Sequence, residues 1–383
     1  MKIGDLRVAL FSGNYNMTTD GANKALNRLV EYLQRQGATV RVYSPVNDRP
    51  AFEPQGTLVG IPSVAIPTRS EYRLPLKLSD ENIADLEAFA PHILHISAPD
   101  FAARRAVKWA KGRDLPILAS VHTRFDTYPR YYHLGFLEPP LKAYIRSIYR
   151  KCDALLTPSE SMAEVLREED MNDDVGIWAR GVDRDLFSPA RRDMEWRRSL
   201  GIADDDVAVG FLGRLVLEKG LDVFADTISE LRRRGIEHKV LVIGDGPARG
   251  FFEDKVPGAI FTGFQGGTDL GRAVAGMDVM LNPSVTETFG NVTLEAMACG
   301  VPVVAARATG STSLVVDGET GALVPPGNIK AFADALGTYV EDDGLRTAHG
   351  AAGELRSRNY SWDAINGAVA DAYLRLIAQA KAA

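Results

Sequence analysis

Cysteine is nearly absent from this chain: Cys152 and Cys299 are the only two in 383 residues. Two cysteines cannot build a disulfide framework, and no C-x-x-C or His-rich spacing marks a zinc site. A reducing compartment is the simple reading, so a cytoplasmic location is expected. Long apolar runs are missing too. Nowhere do about 18 apolar residues follow one another, as a bilayer-spanning helix requires. At the N-terminus Lys2, Asp5 and Arg7 interrupt any apolar run, so a cleaved signal peptide is not expected. Positive charge is not in excess either. Lys plus Arg is 44 against 50 for Asp plus Glu, a net charge of -6. Broad non-specific binding to nucleic acid is thereby disfavoured, and any polyanion site must be a local cluster. No internal repeat of about 20 to 50 residues is present.

What is present suits a globular enzyme. With 45% hydrophobic and 25% charged residues, the chain can bury a sizeable core, and at roughly 150 residues per domain its length suggests two domains. Short apolar runs at 7–11, 39–43, 92–96, 116–121, 154–157 and 175–178 read as strands, most of them separated by helical stretches such as 22–36. Periodicity lapses at 181–192, where Ser188-Pro189 breaks the chain. The alternation then restarts, with strands expected at 207–212, 239–243, 260–262, 279–281 and 301–305 and helices at 221–234, 270–276 and 289–298. Two α/β units follow, each around a parallel sheet, with boundaries at 1–188 and 189–361. Trp362, Ile365, Val369, Tyr373 and Leu376 stand three or four apart, which predicts an amphipathic final helix.

Two segments carry chemistry. Gly213-Arg214-Leu215-Val216-Leu217-Glu218-Lys219-Gly220 lies between a strand and a helix. Its glycines let backbone approach a ligand, and Arg214 and Lys219 put positive charge beside a helix N-terminus, a place suited to a diphosphate. The alternative is an ordinary βα turn with solvated basic residues, since the G-x-x-x-x-G-K-[ST] phosphate loop is not matched. The second segment runs from Pro283 to Met297. Glu287 precedes a helix expected to start near Phe289, and Glu295 lies about two turns in, so the two carboxylates are not a close acid/base pair. They are placed to hold two hydroxyl-bearing parts of one long ligand, with the N–H groups of Phe289, Gly290 and Asn291 facing phosphate between them. Taken alone, a capping Glu and a solvated Glu would be the better explanation of the pattern.

Together, Gly213-Arg214-x-x-x-Glu218-Lys219-Gly220 and Glu287-x7-Glu295 resemble the retaining, two-domain nucleotide-sugar glycosyltransferases of family 4, near the mannosyl-, glucosyl- and sulfoquinovosyltransferases. The resemblance covers nearly the whole chain. It implies the GT-B fold: two Rossmann-like domains facing a cleft, with residues 362–383 crossing back to the first. It implies that Arg214 and Lys219 bind the donor diphosphate, Glu287 the sugar hydroxyls and Glu295 the ribose, with no metal and no cofactor. Gly213, Gly263, Phe264 and Val292 join the donor list, the 263–266 loop facing the base. His122, in Ser120-Val121-His122-Thr123, matches a histidine beside the transferred sugar. A lone His is more often structural. Asp20 and Gly21 match the loop that contacts the leaving phosphates and the acceptor, where many members have paired glycines. Arg180, in Trp178-Ala179-Arg180-Gly181-Val182-Asp183, takes a place where Asn is commoner; it is a site candidate or a linker salt bridge. Asp126 is a further candidate.

The resemblance implies retaining hexosyl transfer, with mannose from GDP-mannose first, to a lipid-linked or glycan acceptor. Glucosyl, glucuronosyl or sulfoquinovosyl transfer from a UDP-sugar is the alternative, as is a nucleotide-sugar 2-epimerase of the same architecture. Gly244-Asp245-Gly246-Pro247 fails the G-x-G-x-x-G spacing, which argues against a nicotinamide site. Asp183-Arg184-Asp185 falls in the linker and reads as solvated rather than metal-binding. In 140–151, Leu141, Tyr144, Ile145 and Ile148 share one helical face and Lys142, Arg146 and Arg150 another, with Tyr131, Tyr132 and Phe136 near. Such a helix either rests on an anionic membrane or packs on its own sheet.

Overall fold

A computed structural model describes residues 1–18, 21–66, 69–122 and 135–382. The chain forms two compact units, Met1–Arg180 with Trp362–Ala383, and Gly181–Ser361. The division falls eight residues before the expected 188/189. The reason is bonding: Val182 N donates to Tyr360 O at 3.0 Å, and Arg184 donates to Ser357 Oγ and pairs with Glu354. Residues 181–188 are therefore anchored in the second unit.

The first unit alternates strands and helices: β1 (Arg7–Phe11), α1 (Gly21–Arg35), β2 (Thr39–Ser44), β3 (Thr57–Gly60), β4 (Ser63–Ile66), β5 (Arg69–Pro75), α2 (Asp80–Phe89), β6 (Ile93–Ile96), α3 (Phe101–Lys111), β7 (Ile117–Ser120), α4 (Glu138–Tyr149), β8 (Ala154–Thr157), α5 (Glu160–Glu168) and β9 (Val175–Ile177). Seven strands make a sheet in the order β3-β2-β1-β6-β7-β8-β9, and every pairing is parallel. Strands β6, β7 and β8 are buried along their whole length. Helices on both faces explain that, since a two-sided cover calls for unbroken apolar runs. One face meets α3, α4 and α5 through residues such as Ala106, Ile148 and Met162. The other meets α1 and the final helix through Leu26, Leu29, Val30, Val369, Tyr373 and Leu376.

The second unit contains α6 (Met194–Ser199), β10 (Ala208–Leu212), α7 (Leu221–Arg233), β11 (Lys239–Ile243), α8 (Arg249–Lys255), β12 (Ile260–Phe261), α9 (Gly267–Ala275), β13 (Val279–Asn282), α10 (Asn291–Ala298), β14 (Val303–Ala306), α11 (Thr309–Leu314), β15 (Gly321–Val324), α12 (Ile329–Glu341) and α13 (Asp343–Ser357). Its parallel six-stranded sheet runs β12-β11-β10-β13-β14-β15. The chain leaves β10 toward β11 on one side and returns to β13 on the other. Ligands of open α/β sheets bind where that order reverses, beyond the carboxyl ends of the strands. In this sheet that place lies between the loops following β10 and β13, which are the two motif-bearing segments.

The last helix, α14 (Trp362–Ala382), belongs to the first unit. Asp363 pairs with Arg35 at 2.5 Å and Asn366 Nδ2 donates to Arg28 O at 3.1 Å, both on α1. Of the expected apolar stripe, Val369, Tyr373 and Leu376 are fully buried, while Trp362 and Ile365 are half-buried. Each full burial of such an apolar side chain contributes about 1.5–3 kcal/mol.

Candidate active site

Close backbone packing shapes the loop after β10. Gly213 adopts φ +147°, a conformation L side chains rarely take, and its N–H donates to Ile243 O at 3.0 Å. Beside it, a Cβ on Gly244 would stand 1.9 Å from Gly213 O, and one on Gly246 2.4 Å from Leu215 O. Glycine at 244 and 246 therefore admits the motif loop, which Leu215 N→Asp245 O and Ala248 N→Leu215 O bonds of 3.0 Å then fix. The Gly-Asp-Gly segment is a packing partner of the site rather than a failed dinucleotide motif. Two glycines directly after a strand were the signal available for that reading.

This packing buries Leu215 and leaves its neighbour Arg214 exposed. Arg214 has no ion pair among the described residues. Gly220, at φ +73°, brings the start of α7 against Pro283. The approach sets Lys219 opposite the second segment, where its Nζ meets Glu287 Oε1 at 2.5 Å with the side chains 29% and 18% exposed. Thr286 Oγ1 donates to Glu218 O at 3.3 Å, joining the same two loops. Behind Glu287 lies Gly310, a residue that pattern reading missed. A Cβ there would stand 2.9 Å from Glu287 Cβ and 2.8 Å from the Phe289 carbonyl carbon.

Helix α10 begins at Asn291, two residues later than expected. Gly290, at φ +96°, is its N-cap and supplies no side-chain bond. The N–H groups of this end without an intrahelical partner therefore belong to Asn291, Val292 and Thr293, the first intrahelical bond being Leu294 N→Gly290 O. Phe289 is not part of that end; its ring is buried against Tyr360, centroids 5.9 Å apart. Glu295 consequently lies about one turn into the helix, not two. Gly263, at φ +70°, accepts from Gly244 N at 3.0 Å, and the next residue, Phe264, is 81% exposed.

In the first unit the expected His122 and Arg180 join Ser120, His95 and Tyr373, which sequence reading did not name as site residues, in a buried polar chain on the face covered by α14. His122 is 8% exposed. Its Nδ1 accepts from Arg180 Nη2 at 2.6 Å, so the ring proton sits on Nε2 and is directed at Ser120 Oγ, 2.9 Å away. Ser120 Oγ also lies 2.9 Å from His95 Nε2, and His95 Nδ1 lies 2.6 Å from the Tyr373 hydroxyl on α14. Trp178 meets both imidazoles edge-on, with centroids 5.1 and 6.0 Å apart. Burial pushes His95 down to about 3 and, with the charge of Arg180, holds His122 well below the ordinary histidine range. Both rings are neutral at physiological pH. Arg180 is thus not in a linker salt bridge but hydrogen-bonded to His122.

Gly21 opens α1, while Asp20, Asp126, Tyr131 and Tyr132 lie outside the described residues. Asn14 exchanges bonds with the Arg73 backbone and Tyr15 N donates to Ser44 Oγ, which anchors the first loop. The helix at 140–151 does not present a free basic face. Lys142 pairs with Glu169 at 2.7 Å, Arg146 donates to Glu169 O at 2.6 Å, and Arg150 pairs with Asp170. Ile145 and Ile148 of α4 are buried and Leu141 and Tyr144 pack on the same core. The helix is bound to its own sheet, and its cations are engaged there. Asp183 Oδ1 accepts from Asp185 N at 3.1 Å, making that pair of aspartates a turn. Among the described residues no three His, Cys, Asp or Glu side chains gather as a metal site, and no helix is long and apolar enough to cross a membrane.

Comparison with known proteins bears on the family and the fold. Residues 206–342 match the family model for glycosyl transferases group 1, and residues 19–186 match that for glycosyltransferase family 4. A GDP-mannose-dependent alpha-mannosyltransferase of Corynebacterium glutamicum is 29% identical over 369 residues, covering 95% of this chain and 87% of the relative. A sulfoquinovosyl transferase of Arabidopsis thaliana is 31% identical over 352 residues, covering 90% and 68%. Sucrose-phosphate synthase from Thermosynechococcus elongatus superposes with a TM-score of 0.78 at 20% identity, covering 98% of this chain and 100% of that one. A structure of Anabaena HepE in complex with UDP and glucose gives 0.71 at 17% identity, covering 96% and 99%. The two sheets, their switch-point loops and these relatives lead to one assignment: the chain belongs to glycosyltransferase family 4 and has the GT-B fold.

Proposed function

We propose that the protein transfers a hexosyl group from a nucleotide-diphosphate sugar to a lipid-linked or glycan acceptor, retaining the anomeric configuration and needing no metal ion. The observation that carries this reading is the Lys219–Glu287 pair at the switch point of the second sheet, beside Arg214 and the uncapped start of α10. Cleaving the sugar–phosphate bond leaves negative charge on the departing diphosphate. Fixed positive groups stabilise that charge without reorganising, and Arg214, Lys219 and the N–H groups of Asn291 and Val292 are such groups. Glu287, oriented by Lys219, accepts from sugar hydroxyls, and Glu295 from the ribose. Gly263 and Phe264 flank the base. The acceptor hydroxyl attacks from the face of the leaving group, and the departing phosphate takes its proton.

GDP-mannose is the first donor in this reading, as in the name of the Corynebacterium relative. A UDP-linked glucose, glucuronate or sulfoquinovose going to a membrane lipid is the second, sulfoquinovose being the sugar in the name of the Arabidopsis relative. Incubation with each donor, with and without acceptor, decides. Acceptor-dependent release of nucleoside diphosphate supports transfer, whereas an epimerised nucleotide sugar formed from donor alone would overturn it in favour of a 2-epimerase.

A further inference from the structure

Arg180 closes the first unit, three residues past β9, and is 4% exposed. Nη1 donates to the carbonyls of Trp178 and Ala179 at 3.0 and 3.1 Å, and Nη2 donates to His122 Nδ1. The guanidinium carbon lies 5.3 Å from the centre of the Trp178 ring. Every one of these partners is neutral. Among the described residues no carboxylate comes within ion-pair reach, and Nε–H and one Nη2–H have no acceptor. Burial without a counter-ion pulls the guanidinium down to about 10. His122 cannot compensate, because its ring is neutral with both nitrogens engaged. Among the described residues the other deeply buried guanidinium is held differently: Arg197, 0% exposed, is paired with Asp278 at 2.9 Å. A buried charge is retained when something compensates it, and for Arg180 the described protein supplies only the Trp178 ring.

We propose that Arg180 is an oxyanion site at the carboxyl edge of the first sheet, binding a carboxylate, sulfonate or phosphate oxygen of the substrate. Its fork geometry suits such planar or tetrahedral anions. Two sources carry that chemistry: an acidic substituent on the sugar, as in glucuronate or sulfoquinovose, and the donor diphosphate. The proposal rests on the transferase reading, which supplies the substrate.

Calorimetric titration of the wild type, Arg180→Gln and Arg180→Lys with UDP-glucuronate, UDP-glucose, UDP, GDP-mannose and GDP tests it. The expected result is a loss of at least tenfold in Arg180→Gln, largely restored in Arg180→Lys. A loss confined to UDP-glucuronate assigns the sugar substituent, and an equal loss for the nucleoside diphosphates assigns the diphosphate. Affinities within twofold of wild type throughout, or no binding of any of the five, overturn the site. Should the Gln variant not fold, the Arg180 Nε–H resonance of the wild type decides: it shifts on saturation if the site exists, and a fixed resonance overturns it. Binding through Arg180 without any transfer sinks the transferase reading alone. Transfer undiminished in Arg180→Gln, with binding unchanged, sinks this site alone.

Discussion

Replacing Lys219 by alanine separates a catalytic charge from a structural one. The pair it forms with Glu287 is short, 2.5 Å, and only partly exposed. As a stability element it is modest, because partly solvated ion pairs are worth about 0–1 kcal/mol. For a second unit of this size, that shifts the melting midpoint by no more than about 4 °C. As a group facing a departing diphosphate it should matter far more. Two unit charges about 4 Å apart at an effective dielectric near 20 interact by about 4 kcal/mol, and removing one preorganised donor to a developing oxyanion typically lowers kcat by about 10²–10³. Lys219→Ala should therefore lose two to three orders of magnitude in nucleoside-diphosphate release while melting almost as the wild type does. Glu287→Ala should lose comparably. The double variant should do better than the product of the two losses, because Lys219→Ala strands a carboxylate beside the phosphates that Glu287→Ala then removes. Near-normal rates in both single variants would refute the site; strictly multiplicative losses would show that the two side chains do not act as a unit.

Three further outcomes follow from particular contacts. Gly244→Ala forces a Cβ against Gly213 O at 1.9 Å, so donor KM should rise at least about tenfold and the second unit should melt earlier; Gly250→Ala on α8, with nothing within 4 Å, should be neutral or stabilising by up to about 1 kcal/mol. His95, neutral and held near 3 in the folded state, binds its proton more readily when unfolded. Its contribution is complete above about pH 6.5 and is lost as pH falls toward 3, at up to about 1.4 kcal/mol per pH unit. Urea unfolding at pH 7.5, 6 and 4.5 should show that decline, and His95→Gln should flatten it. Asp100, the N-cap of α3, is pushed up to about 6 by burial, which makes its ionised form costly between about pH 4 and 6 and above. Asp100→Asn, an equally good cap, should raise the melting midpoint at pH 8 and leave it unchanged at pH 4; equal effects at both would contradict the burial argument.

The strands were legible where both sheet faces are covered. Ile93–Ile96, Ile117–Ser120 and Ala154–Thr157 are apolar runs because nothing in them faces water. Of the partly exposed edge strands, Thr57–Gly60 and Gly321–Val324 escaped, whereas Val175–Ile177 and Ile260–Phe261 were legible. The motif residues could be named from spacing, yet the Lys219–Glu287 contact could not, since 68 residues separate the partners and the approach depends on Gly220 packing on Pro283. The basic stripe of α4 shows a related limit. A helical wheel displays a side chain's direction but not the carboxylates of Glu169 and Asp170 that meet it. His122 shows the limit most clearly: its two ring bonds reach Ser120, two residues away, and Arg180, fifty-eight away. Only the second fixes its tautomer.

Helix capping distinguishes the two sheets in a way their similar architecture hides. Helices α3 and α5, which follow strands of the first sheet, are capped by Asp100 and Ser159, though α4 after β7 has no side-chain cap, and α12 in the second unit is capped by Asn328. The helices that follow β10, β11, β13 and β14 begin at Gly220, Ala248, Gly290 and Ala308, with no side-chain cap. A good cap contributes about 1 kcal/mol, so forgoing four of them at one edge of one sheet is a sizeable departure from what stability alone would favour. Glycine at 220 and 290 is also required by the left-handed turn that brings each helix start close to its neighbouring loop. The same substitution thus opens space and leaves N–H groups unsatisfied, a combination that suits an anionic ligand and nothing in the protein itself. Arg214 and Lys219 stand in this edge, so at the proposed donor site a chain with a net charge of -6 would meet an anionic ligand with two cationic side chains and with backbone amides that carry no formal charge.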